Sequence, residues 1–289
     1  MIDAIEGEAD SIVATTVELP PRIFSRIAEI VRREARIELP PSKITLVQSR
    51  LARRLRERQL ESFGDYIAVI ESDAEERAAM IIALTTNHTH FFRENHHFEH
   101  LRETVVPMLR ERALRGPVRI WSAGCSSGQE IYSIAMCLLG KDRASAEWLN
   151  RGDVKLLATD LSPPVIEATR RAVYSADDIE PVPPTYRRRW LLQEEDEFAM
   201  SPEARRLVTA RVLNLFGPWP MTRQYDVIFC RNVMIYFDAS AKAELEARFV
   251  EMLTPGGYLY VGHSERLIGP AAGSMTPCGQ TIYVKANRR

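Results

Sequence analysis

The chain has 289 residues, 45% of them hydrophobic, and 38 Lys/Arg against 39 Asp/Glu give a formal net charge of −1. That length and apolar content suffice for one large or two smaller cored domains, while the near-neutral total says nothing of partners. No signal-peptide pattern opens the chain and no apolar run approaches the ~20 residues that span a bilayer, which argues against membrane insertion and for a soluble, cytoplasmic protein.

In chain order, residues 1–17 read as a flexible tail, because Asp3, Glu6, Glu8 and Asp10 crowd a stretch with little apolar content. Residues 18–84 read as a helical domain. Ile23, Phe24, Ile27, Ile30 and Val31 recur at helical spacing, and Leu39-Pro40-Pro41 marks where that helix has ended. A second helix carries Val47, Leu51 and Leu55 on one side and Arg50, Arg53, Arg54, Arg56 and Arg58 on its other faces. Between Pro21 and Leu60 eleven Lys/Arg stand against four Glu, a local excess of seven positive charges. Tyr66–Ile70 and Ala78–Leu84 predict two short helices. Residues 85–116 form a linker segment and a longer helix, whose buried stripe is Phe98, Leu101, Val105 and Leu109.

After Gly116-Pro117 the pattern changes to strands alternating with helices, over residues 117–289. Strands are predicted at 118–121, 154–160, 208–215, 225–230, 257–262 and 281–285, and helices at about 129–139, 163–172 and 239–253. Such alternation argues for an α/β domain whose mostly parallel sheet is covered on both faces. Residues 174–206 break it with Pro181, Pro183, Pro184 and Pro202 and an Arg187-Arg188-Arg189-Trp190 cluster. The stretch is too long for an ordinary connection and reads as a small inserted β-subdomain. The four cysteines are scattered without a CxxC pair, as free thiols.

The chemistry concentrates at strand ends. In Trp121–Glu130 a strand enters a turn with Gly124 and Gly128, where a ligand could approach the backbone and meet the amides opening the next helix; an ordinary strand–helix turn is the alternative. Asp160 ends the second strand, where an acid accepts from ribose hydroxyls or caps the following helix. Arg231 and Asn232 end the fourth strand, as ligand contacts or as a salt-bridge partner and a helix cap. Five of the six histidines lie between His88 and His100, but HHFEH is not HExxH and no third ligand has motif spacing, so no metal is expected. His263 follows a strand and helps close a pocket floor. The arginines of the second helix form either a solvated face or a cationic docking surface.

Four segments in register carry a resemblance: Thr85-Thr86-Asn87-His88-Thr89-His90-Phe91-Phe92-Arg93-Glu94, Trp121–Glu130, Cys230–Asp238 and Gly262-His263-Ser264-Glu265. Together they resemble the CheR family, S-adenosylmethionine-dependent methyltransferases that esterify glutamates of bacterial chemoreceptors, over nearly the whole chain from about Pro20. The resemblance implies a Rossmann-like class I methyltransferase domain with a small antiparallel insertion, preceded by an all-α receptor-docking domain. It implies cofactor contacts at Asn87, Thr89, Arg93, Gly124, Glu130, Asp160, Asn214, Leu215, Arg231 and Asn232, with S-adenosylmethionine bound and S-adenosylhomocysteine left as product. It also turns Arg50, Arg53, Arg54, Arg56 and Arg58 toward the acidic receptor helices.

A glutamate side chain ionises near pH 4.3, so methyl transfer to it needs alignment rather than a general base. Arg93, through a guanidinium fork, and Tyr236, through one phenolic hydrogen bond, are the candidates for holding that carboxylate; a half-buried aromatic is the alternative for Tyr236. Two rival readings are a nucleic-acid methyltransferase gripping through the basic helix and a non-catalytic S-adenosylmethionine-binding adaptor. Against nucleic acid, the basic stretch lacks interleaved aromatics, and Arg231-Asn232-Val233-Met234 stands where some base methylases place Asn-Pro-Pro-Tyr. The protein is expected to be a monomer. Gln193–Pro202 carries no glycine where some relatives place a glycine-bearing hairpin for a receptor-tail peptide, so independence of that tether is expected.

Overall fold

The structure, a computed structural model, describes residues 17–287. The acidic stretch expected to form a tail lies, apart from Val17, outside the described residues. The described residues divide into two compact units, one taking 17–34 together with Leu39–Thr85, the other Ala35–Glu38 and 86–287.

The first unit is helical: α1 (Pro21–Ala35), α2 (Ile44–Glu57), α3 (Phe63–Ser72) and α4 (Ala74–Leu84). Ser62 caps α3 by accepting from the Asp65 amide, and Asp73 caps α4 by accepting from the Glu75 and Glu76 amides. The apolar stripes read from the sequence are buried: Ile27, Ile30 and Val31 from α1, Val47, Leu51 and Leu55 from α2, Phe63, Tyr66 and Ile70 from α3. One carboxylate joins them. Glu76 in α4 is fully buried and accepts from Arg54 Nε (2.9 Å), Arg58 Nε (2.6 Å) and the Tyr66 hydroxyl (2.8 Å). Against the desolvation of burial, the two guanidiniums hold its carboxyl below the usual value.

The second unit begins its regular structure with α5 (Asn95–His100), continued by a π-helical turn (Leu101–Val105) into α6 (Val106–Ala113). The single helix expected here thus widens ahead of Pro107, which has no amide to donate to the preceding turn. Then follow β1 (Val118–Ala123), α7 (Gln129–Leu139), α8 (Glu147–Arg151), β2 (Val154–Asp160), α9 (Pro163–Arg171), β3 (Val173–Ser175), α10 (Pro184–Trp190), β4 (Leu191–Glu194), β5 (Glu197–Met200), α11 (Pro202–Arg205), β6 (Val208–Val212), β7 (Tyr225–Cys230), α12 (Ala239–Met252), β8 (Leu253–Val261), β9 (Met275–Gly279) and β10 (Ile282–Lys285).

Seven strands form one sheet in the order β6-β2-β1-β7-β8-β10-β9. Strands β6, β2, β1, β7 and β8 are parallel neighbours, and β10 runs against both β8 and β9. The interior strands are largely buried on both faces, β7 along its whole length, as covering helices demand; within β7 the buried Asp226 accepts from the Arg119 amide at 2.8 Å and pairs with Arg112 at 2.6 Å. The insertion is a separate antiparallel sheet, β3-β5-β4, with α10 and α11 alongside. Its β4–β5 turn places Glu195 at φ 54°. Cys125, Cys137 and Cys230 are buried and Cys278 is exposed, all as free thiols.

Candidate active site

The chain leaves β1 outward through β2 to β6, then returns to β7 on the other flank of β1. That reversal opens a crevice at the carboxyl ends of β1 and β7, where open α/β sheets bind ligands. The cofactor residues expected from the sequence all lie in the second unit, at or just after the ends of β1, β2, β6 and β7, in the first turn of α7 (Glu130) or on the segment leading into α5.

At the end of β1, the Gly124 and Cys125 amides both donate to the Thr159 carbonyl, at 2.8 and 2.9 Å. The chain then turns through left-handed positions at Gly124 (φ 83°), Ser126 (φ 50°) and Gly128 (φ 98°). Asp160 accepts from the Ser126 amide at 2.9 Å and from the Ser162 amide at 3.0 Å. It therefore ties the end of β2 to the glycine turn, while Ser162 holds the N-cap position of α9. Each of its oxygens keeps a lone pair for a hydroxyl donor. Burial raises its carboxyl pKa, and the backbone donors offset only part of that. Asn214 follows β6, its Oδ1 accepting from the Phe216 amide at 2.9 Å, and the Leu215 carbonyl accepts from Trp219 Nε1 at 3.1 Å and Arg248 Nη1 at 2.5 Å.

At the end of β7 sits a buried ionic cluster. Arg231, 6% exposed, reaches Glu130 through Nη1 at 3.2 Å and Glu94 through Nη2 at 3.2 Å, and Nη2 also donates to the Arg93 carbonyl. Arg231 is thus a salt-bridge partner, and its buried Nε has no hydrogen-bond partner among the described residues. Glu130 also accepts from Ser122 Oγ at 2.7 Å, and burial raises its carboxyl pKa despite Arg231. Asn232, at φ 58°, caps no helix; its amide donates to Glu265 at 2.9 Å and its Nδ2 to Glu94 at 3.4 Å. Glu265 is buried and also accepts from the Gly262 amide (2.5 Å) and the Ile235 amide (3.1 Å), which binds the loops after β7 and β8 together.

The segment before α5 supplies the remaining residues. The Asn87 carbonyl accepts from Ser126 Oγ at 2.8 Å, docking this segment onto the glycine turn. Arg93 is half-buried and donates through Nη1 to the His88 carbonyl at 3.1 Å. Tyr236 is half-buried, and its hydroxyl has no partner among the described residues; its carbonyl accepts from the Glu38 amide at 2.8 Å. Of the clustered histidines, His88 and His90 are exposed, while His97 and His100 pack. His97 is fully buried with Nε2 at 2.9 Å from Thr281 Oγ1, and His100 Nδ1 lies 2.8 Å from the Tyr260 hydroxyl. Desolvation, reinforced by Arg231, pushes the His97 pKa down to about 3. Among the described residues no group of His, Cys, Asp and Glu could hold a metal ion. Glu94 and Glu265 stand in the quoted motifs, yet sequence reasoning gave neither a role.

Of the arginines expected to meet a receptor, Arg54 and Arg58 are engaged with Glu76, and Arg50 donates to the Leu84 and Thr85 carbonyls at 2.7 and 2.9 Å. Arg53 pairs with Glu57 at 2.7 Å while staying largely exposed, and exposed Arg56 has no partner among the described residues.

A glycine turn at the first strand, an acid at the second and a polar cluster at the fourth, on this strand order, define a Rossmann-like S-adenosylmethionine-dependent methyltransferase domain behind an all-α domain. Models of the CheR methyltransferase all-alpha domain and of the CheR methyltransferase SAM binding domain match residues 22–85 and 87–284. The chain belongs to the CheR methyltransferase family. It is 42% identical to a probable chemotaxis protein methyltransferase of Rhizobium etli, over 88% of this chain and 96% of that one. It is also 38% identical to chemotaxis protein methyltransferase 2 of Pseudomonas aeruginosa (91% and 92% covered) and 37% identical to the Escherichia coli chemotaxis protein methyltransferase (90% and 89%). The residues present suit S-adenosylmethionine: Asp160 and Glu130, at the crevice, offer acceptors to hydroxyls and an ammonium.

Proposed function

We propose that the protein transfers a methyl group from S-adenosylmethionine to glutamate side chains in the cytoplasmic helical region of chemoreceptors, giving glutamate methyl esters. The observation that carries this reading is Arg93, a half-buried guanidinium on the segment docked to the glycine turn, with one nitrogen engaged and the rest of its fork open to a carboxylate. When bound, S-adenosylmethionine supplies an electrophilic methyl on a sulfonium. Asp160 would accept from the ribose hydroxyls, Glu130 would receive the ammonium, and Asn87, Thr89, Gly124, Asn214, Leu215, Arg231 and Asn232 would complete the enclosure. Arg93 and Tyr236 hold the glutamate carboxylate. Transfer to that carboxylate would exchange the S–CH3 bond for an O–CH3 bond, with the electron pair staying on sulfur. No proton moves, so the chain needs no general base. Opposite charges approach and cancel, so exclusion of water favours the step.

Docking falls to the basic helix α2, and within it to Arg53 and Arg56, since Arg50, Arg54 and Arg58 are engaged in the first unit's own structure. The acidic β4–β5 hairpin, Glu194-Glu195-Asp196-Glu197, supports independence of a receptor-tail peptide. Calorimetric titration with S-adenosylhomocysteine tests the core of the reading. Micromolar affinity that Asp160→Ala abolishes, with radiolabelled methyl appearing on receptor fragments, is expected. No binding at millimolar ligand refutes it, and micromolar binding of the tail peptide in the same instrument refutes tether independence.

A further inference from the structure

Arg93 is held between two residues in the left-handed region, Phe92 at φ 54° and Glu94 at φ 57°. Such a conformation costs a non-glycine residue about 1–2 kcal/mol and persists only where the surroundings over-determine it. For Phe92 the determinants are visible: its amide donates to Ser133 Oγ at 3.0 Å and its ring packs against Phe98 and Tyr186. For Glu94 they are polar and reach two other places in the chain. Its Oε2 lies 3.2 Å from Arg231 Nη2; its Oε1 lies 3.4 Å from Asn232 Nδ2, 3.2 Å from the His263 amide and 3.0 Å from His263 Nδ1.

We propose that Glu94 is a positioning residue that acts through Arg93, clamping the cofactor-binding segment in register with the ends of β7 and β8; this rests on the methyltransfer reading above. Arg231 Nη2 meets both the Glu94 carboxylate and the Arg93 carbonyl, so the same guanidinium fixes the backbone of Arg93 and the side chain that follows it. Glu94 touches neither reacting atom. Its carboxyl is drawn down to about 2, by Arg231 and the His263 donors against the desolvation of burial, and so is ionised at any working pH. The neutral isostere Glu94→Gln keeps the volume and an acceptor for the His263 amide while weakening the tie to Arg231. The left-handed turn then loses its determinant, and the Arg93 fork loses its aim.

A double-mutant cycle of Glu94→Gln against Arg93→Ala decides the matter, read both as kcat/KM for methyl transfer to a receptor fragment and as S-adenosylhomocysteine affinity. Glu94→Gln should cost tenfold or more in the wild-type background and no more than about threefold once Arg93 is Ala, because contacting groups are non-additive. Equal costs in the two backgrounds would show a merely structural role, and no cost in the first would end the proposal. Should Glu94→Gln fail to fold, His263→Ala, at a largely exposed side chain, removes one arm of the clamp. It should lower kcat/KM three- to fivefold with Arg93 present and leave it unchanged with Arg93 absent; any other pattern overturns the clamp. Wild-type protein that binds the product yet methylates no receptor fragment would refute the function instead, and the affinity cycle would still judge Glu94.

Discussion

A methyl group added at Gly124 would sit 2.4 Å from Val233 Cγ2, on a backbone already at φ +83°. Both effects act at the floor of the crevice, where the loop after β7 packs over the turn after β1. Gly124→Ala should therefore combine left-handed strain of about 1–2 kcal/mol with displacement of Val233. The expected result is S-adenosylhomocysteine affinity reduced at least tenfold with a lowered melting temperature; unchanged affinity by calorimetry would show that the turn stands clear of the ligand. Gly124 and Asp160 were legible in the sequence because strand-end glycines and acids carry a local signature. Glu94 and Glu265 were not. The His263 partner of Glu94 lies 169 positions away, and the donors to Glu265 come from two separate loops, so their work exists only once the strands are side by side.

Helix α5 shows how an element is fixed by a group that titrates. His97 anchors it to the approach to β10, with Nε2 3.2 Å from the Gln280 carbonyl and 2.9 Å from Thr281 Oγ1. Burial keeps this imidazole neutral in the fold down to about pH 3, whereas an unfolded histidine protonates near 6.5. Between those values the unfolded state binds one proton more, so stability falls as pH falls, by about 1.4 kcal/mol per unit from this group. Denaturant titrations at pH 6.5 and about 5 should show the wild type losing roughly 2 kcal/mol more than His97→Gln. Parallel losses would mean that His97 is solvated and titrates normally. Elements with a clean period, such as β2, β7 and α7, were legible to within a residue or so. Strand β9 was not, since Met275-Thr276-Pro277-Cys278-Gly279 carries a proline and a glycine that only an edge strand tolerates. Helix α10 hides likewise behind Pro183-Pro184 and three consecutive arginines, its burial resting on Tyr186 and Trp190.

For the molecule as a whole, net charge and charge placement give different answers. A total of −1 attracts nothing, yet residues 21–60 carry an excess of seven positive charges. The structure narrows that excess, because Glu76 and Asp73, from outside this stretch, engage Arg54 and Arg58. On the proposed function, attraction to an acidic receptor helix would be a short-range field from a few exposed groups. Raising ionic strength from about 0.01 to about 1 M shortens the screening length from about 30 to about 3 Å. The KM for a receptor fragment should rise about tenfold over that range while the KM for S-adenosylmethionine changes less than twofold. A receptor KM indifferent to salt would remove the electrostatic part of the docking argument. The α/β class was legible from alternation alone; the crevice became visible only with the strand order, since the reversal at β1 leaves no mark on hydrophobic periodicity.

Burial of three of the four thiols turns the protein into its own recorder of opening events. Desolvation raises the Cys125 pKa well above the ordinary thiol value, and the residue lies in the glycine turn after β1, while Cys278 is exposed. Under an alkylating reagent Cys278 reacts in the folded state, and Cys125 reacts only during excursions in which the turn lifts from the end of β2. Its slow labelling rate counts those excursions, and a ligand that binds only the closed turn slows that rate by the factor 1 + [L]/Kd. Occupancy of the crevice is thereby measurable by mass spectrometry on unlabelled ligand, in mixtures where neither heat nor methyl transfer can be read.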